Sequence, residues 1–181
     1  VSVKRIGCDS FGGSSHKWLM GPLETGVLYV RKDRIAEVWP SIVTAGWKDN
    51  LRGARKFEVY GQRDNPRIVA FESSVDFIQM IGMPAVEARL EKLCTRLKQQ
   101  LAAIPSVRMK TSMDWPVSGG VVKFQVNGRK TEELYHTLYH KHRVALAQTA
   151  SGESEGLRLS PHIYNSMEEM DEAAAIIKRL A

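Results

Sequence analysis

A lysine that follows Ser-x-His and precedes a Gly-Pro turn stands in the run Cys8-Asp9-Ser10-Phe11-Gly12-Gly13-Ser14-Ser15-His16-Lys17-Trp18-Leu19-Met20-Gly21-Pro22. Lysine is the residue whose amine forms imines with carbonyl compounds when it is held still in a partly desolvated pocket. A strand before Lys17 and a turn after it are the elements that hold it. Ser14 and His16 stand just before it in the same run. Far along the chain, Gly156-Leu157-Arg158-Leu159-Ser160-Pro161-His162-Ile163-Tyr164-Asn165-Ser166 offers Arg158, whose planar fork matches both oxygens of a carboxylate. A third polar loop, Tyr60-Gly61-Gln62-Arg63-Asp64-Asn65-Pro66, lies between them.

These three segments, in this order over nearly the whole chain, resemble the class V aminotransferases, fold-type I enzymes that use pyridoxal 5'-phosphate (PLP). The likeness is greatest to the isopenicillin N epimerase-like and cysteine desulfurase-like branches. It implies that Lys17 carries the cofactor as an imine and shuttles the substrate's α-proton. It also implies that Ser14 and His16 bind the cofactor phosphate, and that Arg158 clamps the α-carboxylate of an amino-acid substrate. The family's Gly-Thr, matched by Gly61-Gln62, reaches across a homodimer interface to the neighbour's phosphate, so the resemblance implies a dimer with shared active sites. Gln62 replaces the compact threonine hydroxyl with a longer amide. Ser166 stands where the family has threonine.

The resemblance leaves the reaction open among amino transfer, epimerisation and C–S or β-elimination. Desulfuration by persulfide transfer is disfavoured. The family's desulfurases carry a cysteine just before the arginine motif, and Leu146 to Glu155 contains none.

The elements that position these residues follow from periodicity and turn signals. Strands are expected at Val3–Asp9, Val27–Val30 and near Ile42–Ala45, with a helical turn at Arg34–Trp39. Pro66 opens a helix whose Ile68, Phe71, Val75, Ile78 and Ile81 recur at helical spacing. Gly82 with Pro84 marks a boundary, giving domains 1–82 and 83–181. A long amphipathic helix follows, with Val86, Leu90, Leu93, Leu97, Leu101 and Ile104 on its apolar stripe. Glu87, Arg89, Glu91, Lys92, Arg96 and Lys98 fall outside that stripe.

Beyond Pro105 the pattern predicts strands Ser106–Met109 and Gly120–Val126, and a helix Glu132–His142 capped by Thr131. Strands Val144–Ala147 and Leu157–Ser160 follow, then a last helix to Leu180. Ser166 and Glu169 there have the spacing of a capping box. The expected class is therefore α/β: the second half of a fold-type I PLP-dependent large domain, then a small α+β carboxyl-terminal domain with helices on one side of an antiparallel sheet.

The 181 residues are enough for a core, and no apolar run is long enough for a membrane helix. The net charge of +6 is spread among acids rather than gathered into a stripe, so neither nucleic acid nor membrane is an expected partner. Cys8 and Cys94 are too far apart in sequence for a metal knuckle and fit a reducing, cytoplasmic setting. His136, His140 and His142 read as a solvated helix face, so no metal is expected.

The resembled fold also needs a phosphate loop, a ring-stacking side chain and an aspartate for the ring nitrogen. All of these belong to an amino-terminal half. The expectation is that this half lies upstream of Val1 or on a partner chain, and that these 181 residues alone are inactive. The alternatives are a non-catalytic fragment or assembly module of the fold and, more distantly, a basic nucleic-acid-binding α+β protein.

Overall fold

The computed structural model describes residues 2–44, 53–59, 61–149, 152 and 155–181. It divides into two compact units, Val1–Met80 and Ile81–Ala181.

The first unit begins with a single helical turn, α1 (Val3–Ile6), where the sequence predicts a strand. Ser2 caps this turn by accepting from the N–H of Arg5, and Gly7 ends it in the left-handed conformation at φ 70°. Strand formation is thereby delayed to β1 (Ser10–Ser14), which pairs antiparallel with β2 (Gly26–Val30) in the register Ser10 to Val30 and Ser14 to Gly26. A 3-10 turn spans Lys32–Arg34, earlier than the turn expected at Arg34–Trp39. Asp9 draws the cationic end of this turn inward, with Arg31 Nη1 at 2.8 Å and Arg34 Nε at 3.3 Å. Residues 42–44 are irregular rather than a strand, and Ala45 and Tyr60 lie outside the described residues. Helix α2 (Asn65–Ile81) closes the segment, with Pro66 at its second position. Of the stripe expected to be buried on α2, Ile78 is, while Ile68 is half-exposed.

The second unit holds most of the core. Helix α3 (Met83–Ala102) leads to β3 (Val107–Met109), the short α4 (Trp115–Ser118) and β4 (Val122–Val126). Helix α5 (Thr131–His136) continues as a π-helical turn over Thr137–Lys141. Strands β5 (Ala147–Thr149) and β6 (Gly156–Leu159) and helix α6 (Met167–Leu180) complete it. The sheet order is β3-β4-β6-β5, with every neighbouring pair antiparallel.

On β4 the buried Val122, Phe124 and Val126 alternate with the half-buried Lys123 and Gln125, so one face of the sheet is apolar. That face joins Leu93, Leu97 and Leu101 of α3, Leu134 of α5, Leu138 of the π-helical turn and Ile177 of α6 in one cluster. Burying each such side chain contributes about 2 kcal/mol.

Three local expectations need correction here. Thr131 is the first buried residue of α5, and Lys130 occupies the cap. The strand expected at Val144–Ala147 starts at Ala147, because Arg143 turns back at φ 59° and Val144 N–H closes onto Leu138 O at 3.0 Å. Lys98, assigned to the polar side of α3, is fully buried. Its Nζ donates to Ser112 O, Met113 O and Ser118 Oγ at 3.1, 2.8 and 2.9 Å. The loop from 112 to 118 brings these oxygens over the helix, so the ammonium spends all three donors inside the protein. Cys94 is also fully buried, and the loss of solvation pushes its thiol up to about 11. The capping box at Ser166 and Glu169 forms as its spacing predicts.

Candidate active site

Lys17 is displayed by a closed loop. After β1, the N–H of Ser15 donates to Thr25 O at 3.0 Å, extending the β1–β2 pairing by one step. The Ser15 hydroxyl, fully buried, donates to Thr25 Oγ1 at 2.9 Å, and Thr25 Oγ1 donates on to Pro22 O at 2.6 Å. The chain then turns through Lys17 to Met20, where Met20 N–H reaches Lys17 O at 2.9 Å. It returns so that Gly21 N–H meets Ser15 O at 2.8 Å. Ser74 of α2 holds the Met20 carbonyl from outside at 3.2 Å. The backbone that carries Lys17 is thus fixed at both ends, as the Gly-Pro signal suggests.

Gly21 is required by close approach. A Cβ there would lie 2.9 Å from Ser15 O and 3.0 Å from Phe71 Cδ2, contacts that no other residue makes without moving the backbone. The role of Ser15 and Thr25 has no sequence signal. Ser14 and Ser15 are equivalent by type, and only the pairing of residues ten apart shows which hydroxyl is consumed by the fold.

The side chains of the loop have different surroundings. Lys17 is exposed, Ser14 is exposed at the end of β1, and His16 is half-buried. The Nδ1 atom of His16 is buried without a hydrogen-bond partner among the described residues. A buried polar atom without a partner costs about 1–3 kcal/mol, and a ligand oxygen removes that cost.

Gln62 lines a cavity of about 880 Å³ together with Gly13, Thr25, Gly26, Arg63 and Arg67. Arg67 bonds Glu24 at 2.5 Å and Asp64 at 2.8 Å across it. Ser14, His16, Lys17 and Gly61 do not line this cavity. The first unit therefore brings Gln62 to the β1–β2 hairpin, with Ser14 at the end of β1 and His16 and Lys17 on the loop that follows. Gly61 sits at φ 96°, in the conformation that favours glycine.

Arg158 belongs to the second unit. It is the exposed residue of β6, flanked by the buried Leu157 and Leu159, so it projects from the face of the sheet away from the core. The following turn is rigid: His162 N–H donates to Asn165 Oδ1 at 2.8 Å, and the rings of His162 and Tyr164 stack at 4.5 Å. Arg89 of α3 anchors the same turn by donating to Asn165 O at 2.6 Å. His136 and His140 stack on each other at 5.6 Å, and no group of three metal-ligating side chains occurs among the described residues.

The family model described as "Aminotransferase class-V" matches residues 1–172. The chain belongs to the class V aminotransferase family. It is 28% identical to the isopenicillin N epimerase of Streptomyces clavuligerus, over 99% of this chain and 49% of that protein. It is 25% identical to a probable cysteine desulfurase of Pyrococcus abyssi, over 99% of this chain and 48% of that protein.

Among solved structures it superposes on the apo cysteine desulfurase of Thermococcus onnurineus with a TM-score of 0.85 at 23% identity. That match covers 98% of this chain and 48% of the desulfurase. The cystine C–S lyase C-DES gives a TM-score of 0.81 at 21% identity, covering 98% of this chain and 48% of the lyase. The chain thus spans about half the length of the relatives it matches, and its fold is the carboxyl-terminal half of a fold-type I enzyme.

The cofactor of this family is PLP. The residue types present are compatible with it: Lys17 offers an exposed amine on a fixed loop, and the neighbouring His16 has a buried Nδ1 with no hydrogen-bond partner among the described residues.

Proposed function

We propose that this chain is the lysine-bearing, carboxyl-terminal half of a PLP-dependent enzyme of amino acids. The observation that carries the reading is Lys17 on its locked loop beside the unpartnered Nδ1 of His16. Lys17 Nζ would hold the cofactor and is the amine that would move the substrate α-proton. His16 Nδ1 and Ser14 Oγ orient the phosphate, while Gly61 and Gln62 serve a phosphate of the dimer partner. Arg158 binds the substrate α-carboxylate through its fork. Bound there, PLP would supply an electron sink for chemistry at the substrate α-carbon.

Amino transfer, epimerisation and C–S or β-elimination all fit this residue set, and the relatives' names span epimerase and lyase. Persulfide transfer does not fit, because Leu146 to Glu155 carries no cysteine.

The surface supports a chain that is completed by another segment. The β1–β2 hairpin has no third strand among the described residues, and Leu23, Val27 and Leu28 are 70%, 42% and 59% exposed. Trp39 and Met80 are exposed as well. Unpaired edges with apolar faces call for cover, which the amino-terminal half and a second subunit provide. The free thiols of Cys8 and Cys94 suit a cytoplasmic setting.

The test is spectroscopic. The whole protein, loaded with PLP, should show a visible band that shifts when L-amino acids are added. A protein with both halves that neither binds PLP nor responds to any amino acid overturns the proposal.

A further inference from the structure

The second unit holds a cavity of about 390 Å³ that neither Lys17 nor Arg158 lines. Leu97 of α3, Leu159 of β6 and Met170 and Ile176 of α6, all buried, give it an apolar floor. Charge reaches it from two elements. His142 and Arg143 come from the turn that ends the π-helical segment, and Glu169 and Glu172 come from α6. Glu169, Glu172 and Ile176 recur at steps of three and four, so α6 turns a single face to the cavity.

Two of these charges are unspent. Asp171 is paired with Arg96 at 2.8 Å, and Glu169 accepts from the N–H of Ser166 at 2.9 Å. Arg143 and Glu172 are exposed, and neither has an ion pair or a side-chain hydrogen bond among the described residues. Arg143 also holds a backbone conformation that suits another residue. Its φ of 59° lies in the left-handed region, which is unfavourable for a residue with a β-carbon and which glycine enters freely. The Val144 N–H closes this turn onto Leu138 O at 3.0 Å. A turn that glycine would make with less strain thus carries a guanidinium at the cavity, and strained positions of this kind gather at ligand clamps.

We propose that this cavity binds a free L-amino acid with an apolar side chain. The Arg143 fork takes the carboxylate, the Glu172 carboxylate takes the ammonium, and the side chain lies on the floor of Leu97, Met170 and Ile176. The volume falls at the lower end of the range for small-molecule sites, which suits a leucine-sized body. A ligand with one charge would leave either Arg143 or Glu172 uncompensated. A zwitterion satisfies both and still offers the floor an apolar group. The inference stands on the second unit alone and is independent of the reaction at Lys17.

The experiment measures ligand line broadening by proton NMR on the whole protein, its PLP first reduced onto the chain with borohydride so that no probe exchanges with it. The probes are L-leucine, 4-methylpentanoate, which lacks the ammonium, and 3-methylbutylamine, which lacks the carboxylate. Leucine should bind roughly tenfold or more tightly than either, the factor that one charge-assisted contact supplies. Arg143→Gly should weaken leucine about tenfold and leave 3-methylbutylamine unchanged. Glu172→Gln should weaken leucine about tenfold and leave 4-methylpentanoate unchanged. Retention of the single-charge probe shows that the cavity of each variant is intact. Leucine no tighter than a single-charge probe in the wild type, leucine binding undiminished in either variant, or loss of the single-charge probe together with leucine overturns the proposal.

Discussion

The N–H of Gly21 donates to the carbonyl of Ser15 at 2.8 Å, and Lys17 stands in the loop that this bond closes. The amine owes its placement to a glycine four residues on. A methyl group at Gly21 would enter the space of Ser15 O and the Phe71 ring. Gly21→Ala should therefore cost about 1–3 kcal/mol of stability and lower the yield of reductively trapped PLP. Full trapping at unchanged stability would show that the loop can open without consequence.

Lys98 should behave as a structural post rather than a surface charge. Lys98→Met removes the ammonium and leaves Ser112 O, Met113 O and Ser118 Oγ without their donor. The expected loss is about 2–4 kcal/mol in chemical denaturation, above what exchange of an exposed lysine produces. A change within about 0.5 kcal/mol would mean that water satisfies the loop equally well.

Acid should loosen helix α6. Glu169 is held below the usual carboxylate range by the Asn165 amide and the Ser166 N–H, and Asp171 by Arg96 and then Gln100. In both cases the folded pKa lies below the unfolded one, so the unfolded chain binds more protons as pH falls between them. Their contribution is fully present above the unfolded carboxylate value, near pH 4, and is lost as pH drops through the lowered folded values. Glu169→Gln with Asp171→Asn should flatten the acid limb of the stability curve. A limb of unaltered steepness would assign acid sensitivity to other groups.

The 181 residues in isolation should associate and should not turn over amino acids. Light scattering checks the first expectation, through a mass above that of one chain, because the exposed Leu23, Leu28 and Trp39 need cover. Assay with PLP and a panel of amino acids checks the second. A monomer with multiple turnovers would contradict both.

The motif runs are local, so the sequence displays them whole: Ser14, His16 and Lys17 sit in one, Arg158 and Ser166 in another, and their roles rest on the experiments proposed. The apolar stripe of α3 and the capping box of α6 were equally plain, since both are periodic or paired within a few residues. What escaped the sequence depends on distant partners. Lys98 fits the polar side of a helix until a loop some fifteen residues on covers it. Val3 to Ile6 has the composition of a strand, and a serine cap and a left-handed glycine make it a helical turn instead. Arg143 and Glu172, far apart in sequence, line one cavity only through the packing of the second unit, which no local spacing displays.

The central claim is that Lys17 holds the cofactor. The whole protein is to be incubated with PLP, reduced with borohydride and digested, and the pyridoxyl mass located by peptide sequencing in the mass spectrometer. One pyridoxyl group per subunit on the peptide containing Lys17, absent from Lys17→Ala, is the expected result. An adduct of the same stoichiometry in Lys17→Ala, or one confined to another lysine, would contradict it.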